Sequence, residues 1–214
     1  MDTFNKLAEV FRQFPGIGPR QAKRFVYFLL SREPSFLQEL TDHISTLKRD
    51  IVQCTDCYRF FAKRTSAPLC PICSDKSRAT GELMVVAKDT DLEAMEKSKT
   101  YEGKYFVLGG TIALVERKDA DKLRIKELTS RVSRDVTPAS VIPAKAGIQS
   151  PLLKEVILAL SANPDGEHTA DELRALLTPF GVTISTLGRG LSTGSELEYA
   201  DAKTLKNALK NRSS

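Results

Sequence analysis

This sequence has little histidine and no long apolar run. Only two histidines occur among its 214 residues, so catalysis by an imidazole has few candidates. No apolar segment approaches the ~20 residues that a helix needs to cross a bilayer. The first residues also lack the charged and apolar regions of a secretory signal. We therefore predict a cytoplasmic protein with no membrane partner.

Cysteine is confined to one short stretch, where its four copies form two pairs. The pattern is C-x2-C-x12-C-x2-C, with the cysteines at Cys54, Cys57, Cys70 and Cys73. This spacing suits one tetrahedral Zn²⁺ held by four thiolates. Because all four ligands would come from the protein, the site would be closed and structural rather than catalytic.

Two other interpretations of the cysteines stay open. They could form two disulfides, or they could be four unrelated buried thiols. Disulfides require an oxidising compartment, and no export signal precedes these residues. The stretch between the pairs is too short to build a core, so a folded unit here would depend on the binding energy of a metal.

The overall charge of the chain is basic. The net charge is +5 and the isoelectric point is about 9.0. These values permit binding to nucleic-acid phosphates but do not establish it. A hydrophobic content of 41% is ordinary for a globular protein and excludes no class of soluble domain.

Three helices are predicted at the N-terminus. Apolar residues recur at helical spacing over 4–11, over 22–29 and again over 36–47. An S-x-x-Q pattern at Ser35 and Gln38 predicts a capping box at the start of the third helix. These helices lead directly into the cysteine stretch, so residues 1–53 are interpreted as a small helical domain.

A glycine turn lies between the first two helices. Gly16 and Gly18 flank one apolar residue, and glycine lets a backbone approach a phosphate closely. Arg20, Lys23 and Arg24 follow at the start of the next helix, where free N–H groups favour an anion. The arrangement resembles a helix-hairpin-helix, a module that binds the sugar-phosphate backbone without reading bases. The alternative is an ordinary turn between packed helices with solvated charges.

The remainder of the chain alternates strands with helices. Short runs at 83–86, 105–108, 156–160 and 182–185 are predicted strands, and the first three are apolar throughout. Capping boxes at Thr90 with Glu93 and at Thr169 with Glu172 predict helix starts between them. Such alternation indicates a parallel sheet covered on both faces. A last short helix is expected near 202–209.

One segment does not follow this alternation. Residues 136–151 contain three prolines and no clear period, and they separate a helix from a strand. Connections of this kind usually need only ~2–6 residues. We interpret the segment as a flexible surface insertion.

The order of these parts resembles the RecR family of bacterial recombination mediators, and the α/β part resembles a Toprim domain. Motifs at 107–110, 163–169 and 188–201 also look like signatures of that family. The resemblance divides the chain into a helix-hairpin-helix at 1–53, a four-cysteine zinc finger at 54–76, a Toprim-like domain at 77–196 and a C-terminal assembly segment at 197–214. The predicted fold is therefore multidomain α/β.

The resemblance also implies a function. Members of this family are DNA-repair adaptors rather than catalysts. They assemble as dimers or rings, bind DNA largely without regard to sequence, and act with a RecO-type partner to load recombinase onto gapped or single-stranded DNA. On this basis the chain is expected to bind Zn²⁺ and DNA, to form a homo-oligomer and to associate with the nucleoid.

The chain departs from the pattern of catalytic Toprim domains. Such domains need a glutamate after the first strand of the sheet, to hold Mg²⁺. Here Ala87 and Lys88 stand at that place. Asp165 and Glu167 remain in a later loop and are candidates for contact with a partner, although they could simply be solvated.

Two other functions stay open. A Toprim-class enzyme that cleaves DNA or synthesises primers would need the missing carboxylate. A zinc-stapled interaction protein without any nucleic-acid role would differ from a mediator in its lack of salt-dependent DNA binding.

Overall fold

A computed structural model describes residues 1–63, 68–78, 80–113, 123–136, 153–188, 190–191, 194, 200 and 202–211. The chain divides into two units, Met1–Val52 and Gln53–Ser214. The predicted insertion lies outside the described residues apart from Val136, and so does most of the motif at 188–201. In the described part, no helix combines the length and apolarity that crossing a membrane requires.

The N-terminal unit consists of three helices: α1 (Thr3–Phe11), α2 (Pro19–Leu30) and α3 (Pro34–Asp50). Their small core is centred on Ala8, Ala22 and Val26, which are buried at the crossing of α1 and α2. The larger apolar side chains of both helices pack around these three and stay partly exposed. The predicted pair of helices around a glycine turn is confirmed.

The third helix begins earlier than the sequence predicted. Its N-cap is Glu33 and Pro34 occupies the first helical position, so the capping box at Ser35 is wrong. Proline suits this position because its φ is already helical and its missing N–H would have had no partner. The side chain of Gln38 donates to Asp42 one turn further along, instead of reaching back to the cap.

The cysteine stretch is short and mostly irregular. Strands β1 (Ile51–Gln53) and β2 (Phe60–Ala62) form a two-stranded sheet. After the second pair begins, α4 (Pro71–Ser74) forms one helical turn, and a 3₁₀ turn follows at Lys76–Arg78.

A four-stranded parallel sheet organises the second unit, as predicted. Its strands are β3 (Glu82–Val86), β4 (Lys104–Val107), β5 (Glu155–Ala159) and β6 (Thr183–Thr186), in the order β4-β3-β5-β6. Val85 in β3 lies beside Phe106 on one side and Leu158 on the other. Among the described residues, the α-helices after the cysteine stretch are α5 (Asp89–Ser98), α6 (Ile125–Val136), α7 (Pro164–Leu177) and α8 (Ala202–Lys210).

Two more predicted capping boxes are wrong. Helix α5 starts at Asp89, and the backbone N–H of its N-cap residue Lys88 donates to Asp91. Helix α7 starts at Pro164, so Thr169 lies inside the helix, where its hydroxyl donates to the carbonyl of Asp165. In both cases the T-x-x-E pattern falls one or more residues after the true start.

Alternate residues of the strands enter two separate hydrophobic clusters, one on each face of the sheet. On one face, Leu83 and Val85 pack with Leu128 of α6 and Leu173 of α7. On the other, a cluster around Met84 includes Leu92 of α5 and all four cysteines. The cysteine stretch therefore shares a core with the sheet.

Candidate metal centre and nucleic-acid interface

The four cysteines converge on one point. Their sulfur atoms all lie within 4.8 Å of one another, and all four residues are buried. The Sγ atoms of Cys57 and Cys70 are 3.6 Å apart. None of the four forms a disulfide. The predicted ligands are thus brought together as a cluster that could hold a metal ion, and neither disulfides nor unrelated thiols describe it.

The first cysteine pair sits in a tight turn. The backbone N–H of Tyr58 donates to the carbonyl of Cys54 at 3.1 Å, and the N–H of Cys54 donates to the carbonyl of Arg59 at 2.9 Å. Tyr58 has a φ of 62°, in the left-handed region that residues other than glycine rarely adopt. The turn aims Cys54 and Cys57 at a common point at the cost of some backbone strain.

The second cysteine pair is built differently. Cys70 is the N-cap of α4 and Pro71 is its first helical residue. The N–H of Ser74 donates to the carbonyl of Cys70 at 3.0 Å, which closes the single helical turn. The N–H of Cys70 also points at Cys54 Sγ, 3.4 Å away. Proline fixes φ in this turn, and one backbone amide faces a sulfur of the other pair.

The thiols affect each other electrostatically. Hydrogen bonding with Cys57 holds the pKa of the Cys54 thiol well below its usual range. Hydrogen bonding with Cys54 instead raises the pKa of Cys73. The four groups therefore cannot all ionise independently, and a divalent cation at their centre would allow all of them to be thiolates and would displace the remaining protons.

A hydrogen bond and a ring contact also link the cysteine cluster to the parallel sheet. The backbone N–H of Val107 in β4 donates to the carbonyl of Cys57 at 2.8 Å. The ring of Tyr58, the next residue, lies against Phe106 with 5.4 Å between ring centroids. The position of the first pair is thus fixed by an edge strand of the parallel sheet.

The glycine turn of the N-terminal unit has an open surface. Gly16 has a φ of 75°, and a Cβ added there or at Gly18 would meet no atom within 4 Å. Gly18 is the N-cap of α2 and supplies no side chain to the free amides of the first turn. These amides are therefore available to an anion at the positive end of the helix.

The three predicted phosphate contacts are exposed at the start of α2. Within the described residues, Arg20, Lys23 and Arg24 form no ion pair with a carboxylate. The only hydrogen bond described for their side chains runs from Arg24 Nη1 to Gln21 Oε1, at 3.3 Å. These cations therefore lie on the helix that follows the glycine turn, without a carboxylate partner in the described part of the chain.

The acidic residues Asp165 and Glu167 lie in the first turn of α7. The side chain of Asn163 caps this helix by accepting from the N–H of Gly166 at 2.8 Å. The expectation that the two carboxylates occupy a loop is therefore wrong, because the helix starts before them. Negative charge in a first helical turn is favoured by the helix dipole.

The end of β3 carries no carboxylate at either of the next two positions. Ala87 is buried there, and Lys88 is the N-cap of α5. Sequence reasoning missed a different group. Asp56, between the first two cysteines, pairs with Arg131 and Arg134 of α6, and both arginines also pair with Asp135. No local pattern pointed to it, because Arg131 is 75 residues away from Asp56.

Comparison with known proteins agrees with this layout. Three family models match: the RecR helix-hairpin-helix over residues 4–48, a Toprim domain over 81–188 and the RecR C-terminal region over 190–213. A recombination protein RecR from Chloroflexus aggregans is 38% identical over 207 residues, which cover 97% of this chain and 91% of that protein. The chain belongs to the RecR family.

Other RecR proteins give the same result. The one from Paracoccus denitrificans is 34% identical, over 99% of this chain and 96% of its own length. The one from Lactococcus lactis is also 34% identical, over 97% of this chain and 94% of its own length. The similarity to RecR thus extends over nearly the full length of both chains.

Proposed function

We propose that this RecR-family protein is a DNA-binding recombination mediator without catalytic activity. Membership in a family of recombination proteins supports a role in recombinational repair. In the proposed role, the protein acts in the cytoplasm at the nucleoid, and it works with a RecO-type partner to load recombinase onto gapped or single-stranded DNA.

The observation that carries the DNA-binding proposal is the open turn at Gly16 and Gly18. It places free amides beside three cations without carboxylate partners among the described residues, Arg20, Lys23 and Arg24. Amides and cations of this kind contact phosphates, and phosphate contacts carry no sequence information. The proposed binding is therefore largely independent of sequence and sensitive to salt.

We propose Zn²⁺ as the metal of the cysteine cluster. Four soft thiolates in a closed, buried cluster suit Zn²⁺ better than Mg²⁺ or Ca²⁺, which prefer oxygen ligands. Cys54, Cys57, Cys70 and Cys73 would all be ligands, which leaves no open position for a substrate. Elemental analysis of protein purified without chelators should find close to one zinc per chain.

The absence of catalysis is proposed from the end of β3. Alanine cannot ligate a metal, and the neighbouring cation of Lys88 opposes one. A Toprim-class enzyme is the second candidate function, because Asp165 and Glu167 keep two carboxylates at the start of α7. We favour a partner-contact role for these two. Mg²⁺-dependent cleavage or primer synthesis that is lost in the double variant Asp165→Asn, Glu167→Gln would overturn this assignment.

We also propose a homo-oligomer, either a dimer or a tetrameric ring. Helix α3 has no buried residue, and Ile44 and Leu47 on it are 64% and 57% exposed. An apolar stripe of this kind suits an interface between copies, together with the segment 197–214. Repeating a weak DNA-binding unit in a closed assembly would raise its affinity by avidity. The proposal also assigns a part to each range: 1–53 is the DNA-binding helix-hairpin-helix, 54–76 is the zinc finger, 77–196 is the Toprim-like domain and 197–214 is the assembly segment.

A salt titration of DNA binding tests the central claim. The double variant Lys23→Ala, Arg24→Ala should weaken binding to every sequence alike. It should also reduce the slope of log affinity against log salt by about 0.7–0.9 for each phosphate that the variant no longer binds. The double variant Lys97→Ala, Lys99→Ala removes the same charge from exposed positions at the end of α5 and serves as the control.

The result is decided by the difference between the two variants. A loss confined to the Lys23, Arg24 pair supports the interface at the glycine turn. Equal affinity and equal salt slope in both variants and in the parent protein would assign DNA contact to another surface.

A further inference from the structure

A cluster of charged side chains connects the first cysteine pair to helix α6. Asp56 lies between Cys54 and Cys57, and its Oδ1 is 2.6 Å from Nη2 of Arg134. Its other carboxylate oxygen pairs with Nη1 of Arg131. The same Nη1 also donates to the backbone carbonyl of Asp56 at 3.0 Å. Both the side chain and the backbone at the middle of the cysteine turn are thus held by one helix.

The two arginines are themselves held in place by a second carboxylate. Asp135 accepts from Nε of Arg131 and, at 3.0 Å, from Nε of Arg134. The four groups carry two positive and two negative charges. Since the side chain of Arg131 is only 6% exposed and that of Asp56 only 15%, removing one member would leave a partner charge buried without compensation.

The first cysteine turn has a reason to need such support. It contains the left-handed backbone of Tyr58, whereas the second turn is closed by Pro71 and a helical hydrogen bond. Residues 70–74 contain no charged side chain, and they are held instead by burial of Ile72 in the cluster with β3 and β4. The turn with the unfavourable backbone is therefore the one that is tied to another element by ion pairs.

We propose that Asp56 is a positioning residue for the metal centre, and that Arg131 and Arg134 hold the first cysteine turn in its metal-binding geometry through it. The proposal rests on the proposed metal at the cysteine cluster. It makes metal binding and the order of α6 mutually dependent, because each stabilises the same arrangement of the turn.

Cobalt titration of the full chain tests the proposal, because Co²⁺–thiolate absorption reports both affinity and the number of bound sulfurs. Asp56→Asn should lower Co²⁺ affinity by about tenfold or more, while the spectrum at saturation still shows four thiolates. Asp171→Asn is the matched control, since it removes an exposed carboxylate that also pairs with an arginine, Arg174, at 2.8 Å. It should leave the affinity unchanged.

Thermal unfolding with and without metal distinguishes a positioning role of Asp56 from a general contribution to stability. Positioning predicts that Asp56→Asn destabilises the metal-loaded protein more than the metal-free protein. Equal shifts in both forms would overturn the proposal. A double-mutant cycle of Asp56→Asn with Arg134→Gln should show non-additive losses of metal affinity, because the two residues act through one contact.

The outcomes also distinguish this inference from the metal proposal beneath it. If the parent protein binds no Co²⁺ or Zn²⁺, both fail. If the parent binds metal and Asp56→Asn binds it equally well, only the positioning role fails. Should Asp56→Asn not fold, Arg134→Gln, which keeps the buried Arg131, is titrated in its place and judged by the same criterion.

Discussion

The two units of this protein use their apolar and charged residues in opposite ways. In the N-terminal unit, only Ala8, Ala22 and Val26 are buried, and several large apolar side chains are exposed. In the second unit, β3 and β4 bury every residue except the first of each strand, and the buried cation Arg131 is paired with carboxylates. Exposed apolar and uncompensated basic groups lower the stability of an isolated unit but remain available to partners.

The comparison suggests that one unit presents binding surfaces and the other supplies a rigid frame. Changes at the surface of the N-terminal unit should have little effect on its stability, because few of these residues support its core. Changes at the cysteine cluster or in the sheet should destabilise the second unit more, because the cysteines and residues of the sheet share one hydrophobic cluster. Four experiments test this contrast, in order of decreasing expected effect.

Disrupting the proposed metal site should have the largest effect on stability, and it should affect the two units unequally. Binding of structural zinc contributes on the order of 10–16 kcal/mol in small zinc domains, so its loss through Cys73→Ser should loosen the second unit severely. Hydrogen exchange is expected to accelerate in β3 and β4 but much less in α1 and α2. Equal acceleration in both units would contradict the separation.

Truncating a buried side chain that packs on the sheet should have the second-largest effect on stability. Leu173 is fully buried in the cluster on the α6 and α7 face, and Leu173→Ala should cost about 2–5 kcal/mol in the free energy of unfolding. Leu47→Ala, on the exposed face of α3, should change it by no more than about 0.5 kcal/mol. Urea denaturation measures both, and similar costs at the two sites would mean that α3 is packed in solution.

A smaller effect is expected at the glycine turn. Gly16→Ala places a side chain on a left-handed backbone at a cost of about 1–2 kcal/mol, although the space around it is open. Gly18→Ala is the control, because Gly18 has a φ of −82° and equally open surroundings. Gly16→Ala should weaken DNA binding by distorting the turn. If Gly18→Ala weakens binding as much, close approach of a phosphate rather than backbone conformation is what the glycines provide.

The smallest effect on stability, with a clear effect on assembly, is expected on α3. Ile44→Ser with Leu47→Ser should leave the unfolding free energy within about 0.5 kcal/mol of the parent, yet lower the mass observed by light scattering. Val10→Ser, at a half-exposed position on α1, is the control. An unchanged mass in the double variant would place the interface elsewhere.

Much of this architecture could be predicted from the sequence because it is encoded locally. The strands are short apolar runs bounded by polar residues, and the spacing of the cysteines predicts a metal site. The predicted helix starts were less accurate, because Pro34 and Pro164 begin their helices ahead of the S-x-x-Q and T-x-x-E patterns. A proline at the first helical position is a signal that could have corrected both.

The ion pairs around Asp56 could not be predicted in the same way. Arg131 and Asp135 look like an ordinary surface pair at helical spacing, and nothing in the sequence shows that Asp56 faces them. Their meeting depends on how the cysteine turn packs beside the sheet, which only the folded chain determines. The sequence therefore predicted the four cysteine ligands of the candidate site but not the ion pairs that hold the first cysteine turn.

The hydrogen bond from Val107 to Cys57 has a consequence for solubility. Strand β4 lies at an edge of the sheet and contains two aromatic residues and a valine, a composition that invites pairing with the strands of other molecules. The opposite edge strand, β6, is mostly hydroxyl-bearing and has less need of cover. The first cysteine turn covers part of this edge through that hydrogen bond, so a change that frees the turn would expose a template for aggregation even while the sheet persists.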